Sequence, residues 1–337
     1  MSLAMRSKMI LHYNNTEVPE SVTDDCEAFT FEDHASGNAD SIALTLSNRS
    51  GKWFRKFHPK ENDFIKAWIS VENWQQGKAN AKLFCGRFAI DELAFSGFPE
   101  RVQVKGISIP INGKFNVTER NRTWKKTTTK QILSDIAADA GIKLVYDAGV
   151  HSIDETAQSG STDMEFAFSL CSDYDIALKF FNDRMIAYDK TDYEKKKAVY
   201  TIRKSQLGGS SSYSIREQIR TVYDSVKMQY TNDGKTVTYE YKRPGKKGSR
   251  RMFLSEKADS IKDAELKAKA GLRENLRESK SLNLTLIGNI RYRSAENFML
   301  EGFGKLDGKY FIDYVCHSRA NGKYTSKITA HPVVTDF

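Results

Sequence analysis

At 337 residues the chain exceeds what one small hydrophobic core organises, so two or three domains are expected. Hydrophobic residues make up 39% and charged residues 28%, which excludes disordered and fibrous polymers; no apolar run reaches the roughly 20 residues that span a bilayer, so no membrane insertion is expected. The formal charge of +9 admits an anionic partner, and the excess gathers in residues 241–251 (YKRPGKKGSRR) and 122–130 (RTWKKTTTK).

The opening MSLAMRSKMIL has charge but neither a hydrophobic region nor a small-residue cleavage site, so it does not read as a secretory signal. The four cysteines, Cys26, Cys85, Cys171 and Cys316, are far apart and form no C-x-x-C pair. Their apolar neighbours mark them as buried thiols, consistent with synthesis in a reducing cytoplasm.

The first hundred residues alternate with period two. Ile42, Leu44 and Leu46 point to one face of SIALTLSN, and Ile65, Ala67, Ile69 and Val71 to one face of DFIKAWISVEN. In LFCGRFAIDEL the same rule puts Phe84, Gly86, Phe88 and Ile90 together, and RVQVKGISI comes after the Gly97-Phe98-Pro99 turn. Strands at this spacing predict a small antiparallel barrel or sandwich.

The period then changes. Thr127 to Thr129 offer an N-cap for a helix carrying Ile132, Leu133, Ile136, Ala137 and Ala140, with Gly141 at its C-terminal end. GIKLVYD predicts a strand, and Ser161 and Thr162 open a second helix with Phe166, Ala167, Leu170, Cys171 and Tyr174 as its stripe. IALKFFNDRMIAYD reads as a hairpin turning at Asn182-Asp183. The connector QLGGSSSYS, residues 206–214, leads to further strands, SVKMQY and KTVTYEY. A long helix starts near Ser260, with Ala264, Ala268, Leu272 and Leu276 as a narrow stripe and Glu265–Lys269 as a favourable pair. It fits a place between sheets or subunits, or an ordinary surface. Strands LNLTLIG, NFMLEGFG, KYFIDYVCH and KYTSKITAH close the chain.

The expected class is therefore α+β, mostly β. A first β-barrel domain is assigned to residues 1–112, a small α/β module to 113–205, and a second β-barrel domain, with the long helix near 260–279, to 206–337.

Catalytic patterns are sparse. His12, His34, His58, His151, His317 and His331 show no metal-ligand spacing, and Gly208-Gly209-Ser210 is a linker rather than a nucleophile elbow. Asp91 and Glu92 are adjacent, so on a regular strand they face opposite ways and cannot share a substrate without a bulge. No catalytic residue, metal or cofactor is expected.

One stretch asks for a decision. GFGKLDGKYFIDYVCHS, residues 302–318, holds Gly302, Gly304 and Gly308, one residue longer than the G-x-G-x-x-G of a dinucleotide loop. The residues after Gly308 are strand-forming and do not open a helix whose N-terminus could meet a phosphate. Asp307-Gly308 instead predicts a tight hairpin turn.

The same stretch resembles the C-terminal part of phage tail baseplate hub proteins of the late control protein D family, related to the head of the type VI secretion spike protein VgrG. The matching residues are Gly308, Tyr310, Ile312, His317, Gly322, Tyr324 and Ser326. Two more blocks, residues 85–108 (CGRFAIDELAFSGFPERVQVKGIS) and 122–146 (RTWKKTTTKQILSDIAADAGIKLVY), are similar to that family in the same order. The resemblance implies tail-tube-like barrels with an inserted module. It also implies a homotrimer whose two barrels per chain make a pseudo-six-fold ring between the tail tube and the central spike. Implied partners are the tail tube protein, the spike, other baseplate proteins, and DNA or a tape-measure protein passing through the channel. The implied location is the baseplate of a virion or tail-like particle. Compared with some relatives, an obvious C-terminal needle or enzymatic extension is not expected.

Lys246, Lys247, Arg250 and Arg251 then read either as a channel or nucleic-acid contact or as a solvated loop. Two other classes stay open: a tail-associated cell-wall hydrolase built on the middle module, and a non-specific nucleic-acid-binding protein motivated by net charge.

Overall fold

The computed structural model describes residues 5–335 apart from 57–58, 61, 75–79, 111–113, 210 and 233–234. His58, Ser210 of the connector and the domain boundary assigned at 112 lie outside the described residues.

The first part runs β1 (Arg6–Tyr13), β2 (Thr16–Glu17), α1 (Glu20–Thr23), β3 (Cys26–His34), β4 (Ser41–Ser47), α2 (Lys52–Lys56), β5 (Phe64–Glu72), β6 (Ala81–Ser96) and β7 (Arg101–Ile107). Hydrogen bonds order these strands β3-β4-β7-β6-β5-β1-β2, antiparallel throughout. Alternation sends Ile42, Leu44, Leu46, Ile65, Ala67 and Ile69 into one core with Met9, Leu11, Phe29, Phe31, Val102 and Val104.

One alternation fails. Cys85 is an extra residue in β6, because Ala67 pairs Gly86 while Trp68 pairs Phe84. This bulge turns Leu83 and Cys85 inward with Phe88, and sends Phe84 to the other face, against Trp68 and Phe181. Gly86 takes a φ of 129° there, open to glycine and rarely to other residues.

The middle part holds β8 (Glu119–Thr128), α3 (Thr129–Asp139), β9 (Lys143–Asp147), β10 (Ser152–Thr162), α4 (Asp163–Asp173), β11 (Ile176–Phe180), β12 (Arg184–Asp189) and α5 (Lys190–Lys195). Thr128 caps α3 and Gly141 ends it at a φ of 68°. Thr162 and Glu165 close a capping box on α4. The β11–β12 turn is the two residues Asn182 and Asp183, both left-handed, as their sequence predicts. The helices pack Ile132, Leu133, Ile136, Ala167 and Leu170 against Ile176, Leu178 and Phe180 in a second core.

The last part holds β13 (Tyr200–Arg203), β14 (Ser212–Glu217), β15 (Ser225–Asn232), β16 (Lys235–Lys242), β17 (Arg251–Ala258), α6 (Ile261–Glu278), β18 (Lys280–Ile287), β19 (Asn297–Glu301), β20 (Gly308–Ala320) and β21 (Lys323–Pro332). It contains two cores. Leu282, Leu284, Phe298, Leu300, Tyr310, Ile312, Val315 and Ile328 make one. Strands β15–β17 form a separate three-stranded sheet under α6, where Val226 and Met228 meet Ala264, Ala268 and Leu272. Leu276 extends that stripe only to a half-buried position, whereas the neighbouring Arg277 is buried. α6 is thus an internal helix, packed on this sheet and on α4.

The two larger β parts share one 13-stranded sheet. β20 pairs β3 from Tyr314↔His34 to Ala320↔Ala28, so the order runs β14-β18-β21-β20-β3-β4-β7-β6-β5-β1-β2.

The glycine stretch forms a hairpin between β19 and β20, with a different turn from the expected one. Six residues connect the strands through a 3-10 turn at Gly304–Leu306. Gly302 (φ 88°) and Gly304 (φ 68°) supply the left-handed positions, and Asp307 accepts from the Phe303 amide at 2.6 Å. The two-residue reversal is at Asn321-Gly322 between β20 and β21, where φ is 51° and 73°.

β21 reaches out of its own part of the fold: the Tyr324 ring packs in the first core and fills the space over Gly288. A Cβ on Gly288 would lie 2.3 Å from that ring. Gly288→Ala is expected to destabilise the protein by about 1–3 kcal/mol, because the ring has a packed core behind it. Chemical denaturation checks this; an unchanged midpoint would contradict the packing.

Candidate functional site

Three of the family-marker residues, His317, Tyr324 and Ser326, meet at the seam between the two β parts. His317 on β20 is fully buried. Its Nε2 lies 3.0 Å from the Tyr292 carbonyl, and its Nδ1 lies 2.8 Å from the Tyr324 hydroxyl and 3.1 Å from Ser326 Oγ. A neutral ring fits this set, with Nε2–H donating to the carbonyl and the single Nδ1 lone pair accepting from a hydroxyl. Burial lowers its pKa to about 4, in keeping with that form. The ring stacks on Phe31 of β3, so the marker histidine holds the two parts together. Tyr310 and Ile312 are core residues of the last part.

A second tie joins all three parts. Lys179 of β11 reaches Asp33 Oδ1 at 2.6 Å, Asp40 Oδ2 at 2.8 Å and the His34 carbonyl at 2.6 Å. Asp33 also accepts from the Ser294 amide at 2.9 Å and hydroxyl at 2.6 Å. Burial opposes ionisation of both carboxyls. At Asp33 the lysine and the Ser294 bonds outweigh burial and lower the pKa, whereas at Asp40 burial prevails and raises it to about 7.

A third cluster lies where α5, α6 and β21 meet. Buried Arg277 bonds Asp175 and Glu194, and Arg273 reaches Asp175 at 3.3 Å. His331 sits 2.8 Å from Asp313 and 3.4 Å from Glu194. Burial would lower the His331 pKa, but the two carboxylates outweigh it and raise it to about 9. Glu194, Arg277, Asp313 and His331 line a cavity of about 260 Å³ with Lys190 and Glu274, and the charges neutralise one another across the wall.

The two basic stretches separate. Arg122 is taken up by Asp163, by Asp139 at 2.7 Å and by Gln158 at 3.0 Å, while Trp124 stacks on Phe166 at 5.2 Å. Residues 243–250 instead form the exposed β16–β17 loop, turning at Gly245 and Gly248 (φ 70° at both). Arg250 donates to the Ile219 carbonyl at 2.7 Å and Arg251 pairs Glu240 at 3.1 Å. Lys246 and Lys247 are exposed.

Asp91 and Glu92 do lie at a bulge, against the regular-strand expectation: the β6–β7 register shifts between Ile90 and Glu92. Both are exposed, and Glu92 is engaged by Lys105 at 2.9 Å, an arrangement of surface pairing. Cys26, Cys85 and Cys171 are buried and Cys316 half-buried, all as free thiols. Among the described residues no group of three His, Cys, Asp or Glu side chains is placed to hold a metal ion.

Sequence reasoning missed the tying charges Asp33, Lys179, Asp175, Glu194 and Arg277. A single lysine inside IALKFF was the available signal, since a cation in so apolar a strand needs a buried partner.

No protein-family model matches this chain. A probable baseplate hub protein of Escherichia phage 186 is 25% identical over 128 residues, which cover 38% of this chain and 30% of that protein. The match therefore spans under a third of the relative's length. In fold the chain is similar to the tail protein from Neisseria meningitidis MC58, with a TM-score of 0.72 at 11% identity over 97% of this chain and 96% of that one. It is also similar to an E. coli component of the type VI secretion system described as structurally similar to T4 bacteriophage tail proteins gp27 and gp5. There the TM-score is 0.60 at 13% identity, over 96% of this chain and 76% of that one. The chain is thus baseplate hub-like, mostly β, with the fold of phage-tail and VgrG-related structures.

Two outcomes test the ties. Lys179→Met strands two buried carboxyls and is expected to cost about 3–5 kcal/mol in urea titrations, with D33N/K179M recovering part of the loss. His331 has a folded pKa above its ordinary 6.5, so its contribution is complete below pH 6.5 and is lost as pH rises through about 9. Stability should fall over that window, and His331→Gln should flatten the fall; an identical pH profile in the variant would contradict the assignment.

Proposed function

We propose that this chain is a structural baseplate hub of a contractile tail or tail-like injection device, without a catalytic role. Three copies would form a pseudo-six-fold ring between the tail tube protein and the central spike, bounded by other baseplate proteins. DNA or a tape-measure protein would pass through the channel. Residues 1–112 and 206–337 would be the two ring-forming parts and 113–205 the inserted module, whose last strand, β13, is taken into the sheet and core of the second ring-forming part.

The observation that carries this is the pair of β-rich parts, each with its own core, locked in fixed relation by the β3–β20 pairing and the Lys179 tie. Two similar parts on a three-fold axis offer six docking surfaces, which is the geometry of an adaptor between six-fold and three-fold partners. The baseplate hub relative and the tail-protein fold support the same conclusion.

Sedimentation of the purified chain, with negative-stain imaging of the cross-linked material, is expected to give a trimer and a ring. A monomer at high concentration that also yields no ring when mixed with tail tube and spike proteins would overturn it.

A further inference from the structure

We propose that the β16–β17 loop and the outer face of the β15–β17 sheet form a surface for the phosphate backbone of nucleic acid. This deepens the hub assignment, since it names a part of the chain that would meet DNA in the channel.

Residues 242–251 (KRPGKKGSRR) hold six basic side chains and no acidic one. In the fold these charges are not scattered. Val226, Tyr241 and Met252 face α6, so alternation puts Lys242, Lys227, Arg251 and Glu240 on the opposite face. Ser225 pairs Lys242 on one side and Arg251 on the other, in one row across three strands. The loop folds back over that row: Ser225 Oγ lies 3.3 Å from the Gly248 carbonyl, and Gly248 packs against the Lys242 side chain. Lys246, Lys247 and Arg250 therefore continue the surface begun by Lys242 and Arg251.

Glu240 on that face is shared between Arg251 at 3.1 Å and Lys227 at 4.0 Å, and Asp224, beside the loop, accepts from the Ser249 hydroxyl at 3.3 Å. The contrast with the other basic stretch is direct, because Arg120 and Arg122 are neutralised by Asp139 and Asp163. The chemistry favours phosphate over an acidic protein face. Protein interfaces centre on apolar and aromatic anchors and are depleted in lysine, whereas residues 242–251 carry no apolar side chain other than Pro244. Phe253, paired with Lys227, is an exposed aromatic on the same face. Closely spaced cations around one exposed aromatic suit a polymer of closely spaced negative charges whose bases can stack.

The test is fluorescence polarisation of a labelled 20-nucleotide strand and a 20-base-pair duplex against the intact chain, between 50 and 200 mM salt. Binding that weakens steeply with salt is expected. K246E/K247E should lower affinity about tenfold and reduce the log–log salt slope by about 2, one for each phosphate left without its lysine. K114E/K305E makes the same charge change at exposed sites elsewhere and should leave binding within about twofold. Circular dichroism confirms that both variants fold. No binding at 50 mM salt overturns the proposal. So do equal losses in the two variants, and so does displacement by poly-glutamate as effective as by unlabelled DNA. Each of these reads the isolated chain and leaves ring formation untouched, so failure here and failure of the hub assignment are distinguishable.

Discussion

The backbone pairing of β3 with β20 is the constraint on which the rest of the molecule depends. Strands about 280 residues apart in sequence share seven paired positions, from Tyr314↔His34 to Ala320↔Ala28. A ladder fixes both the distance and the rotation of the parts it joins, because a slip of one residue would turn every core side chain outward. The two β-rich parts therefore behave as one sheet with two cores rather than as beads on a linker.

The side chains around that ladder explain why it is specific as well as stable. His317 stacks on Phe31 across the seam while binding Tyr292, Tyr324 and Ser326. Lys179 brings the middle module to the same place through Asp33 and Asp40. Charges this buried add little net stability over apolar packing, yet they tolerate few alternative arrangements, since any shift strands an ion. A protein whose task is to present surfaces in fixed positions gains from such ties. The Arg277 and His331 cluster does the same for α6 and the last strand.

Much of the local structure was legible in the sequence. The helix caps at Thr128, Thr162 and Ser260, the turn at Asn182-Asp183 and the core faces of β4 and β5 result from capping, left-handed turn residues and period-two patterning. Errors arose where a single residue broke the period. Cys85 is one extra residue in β6 and reverses the side to which Phe84 points. Asp307-Gly308 looks like a hairpin turn, but Gly302 and Gly304 take the left-handed positions and the connection is six residues long. Neither could be read locally, because register is set by the partner strand.

The marker residues Gly308, Tyr310, Ile312, His317, Gly322 and Tyr324 stood out in the sequence, and their order carried the baseplate hub resemblance. What they do was decided only in three dimensions. Tyr324 lies on a strand of the last part yet fills the first core, and His317 gains its hydrogen bonds from residues on separate segments. Likewise the charge of residues 241–251 was evident from composition, while its gathering into one surface, with Glu240 paired to Arg251, depended on the loop folding over Ser225. Sequence determines propensity, periodicity and charge because these act between near neighbours. Partner choice between distant strands and buried ions is decided by which arrangement leaves no apolar face and no charge unmatched, and that is a property of the whole fold.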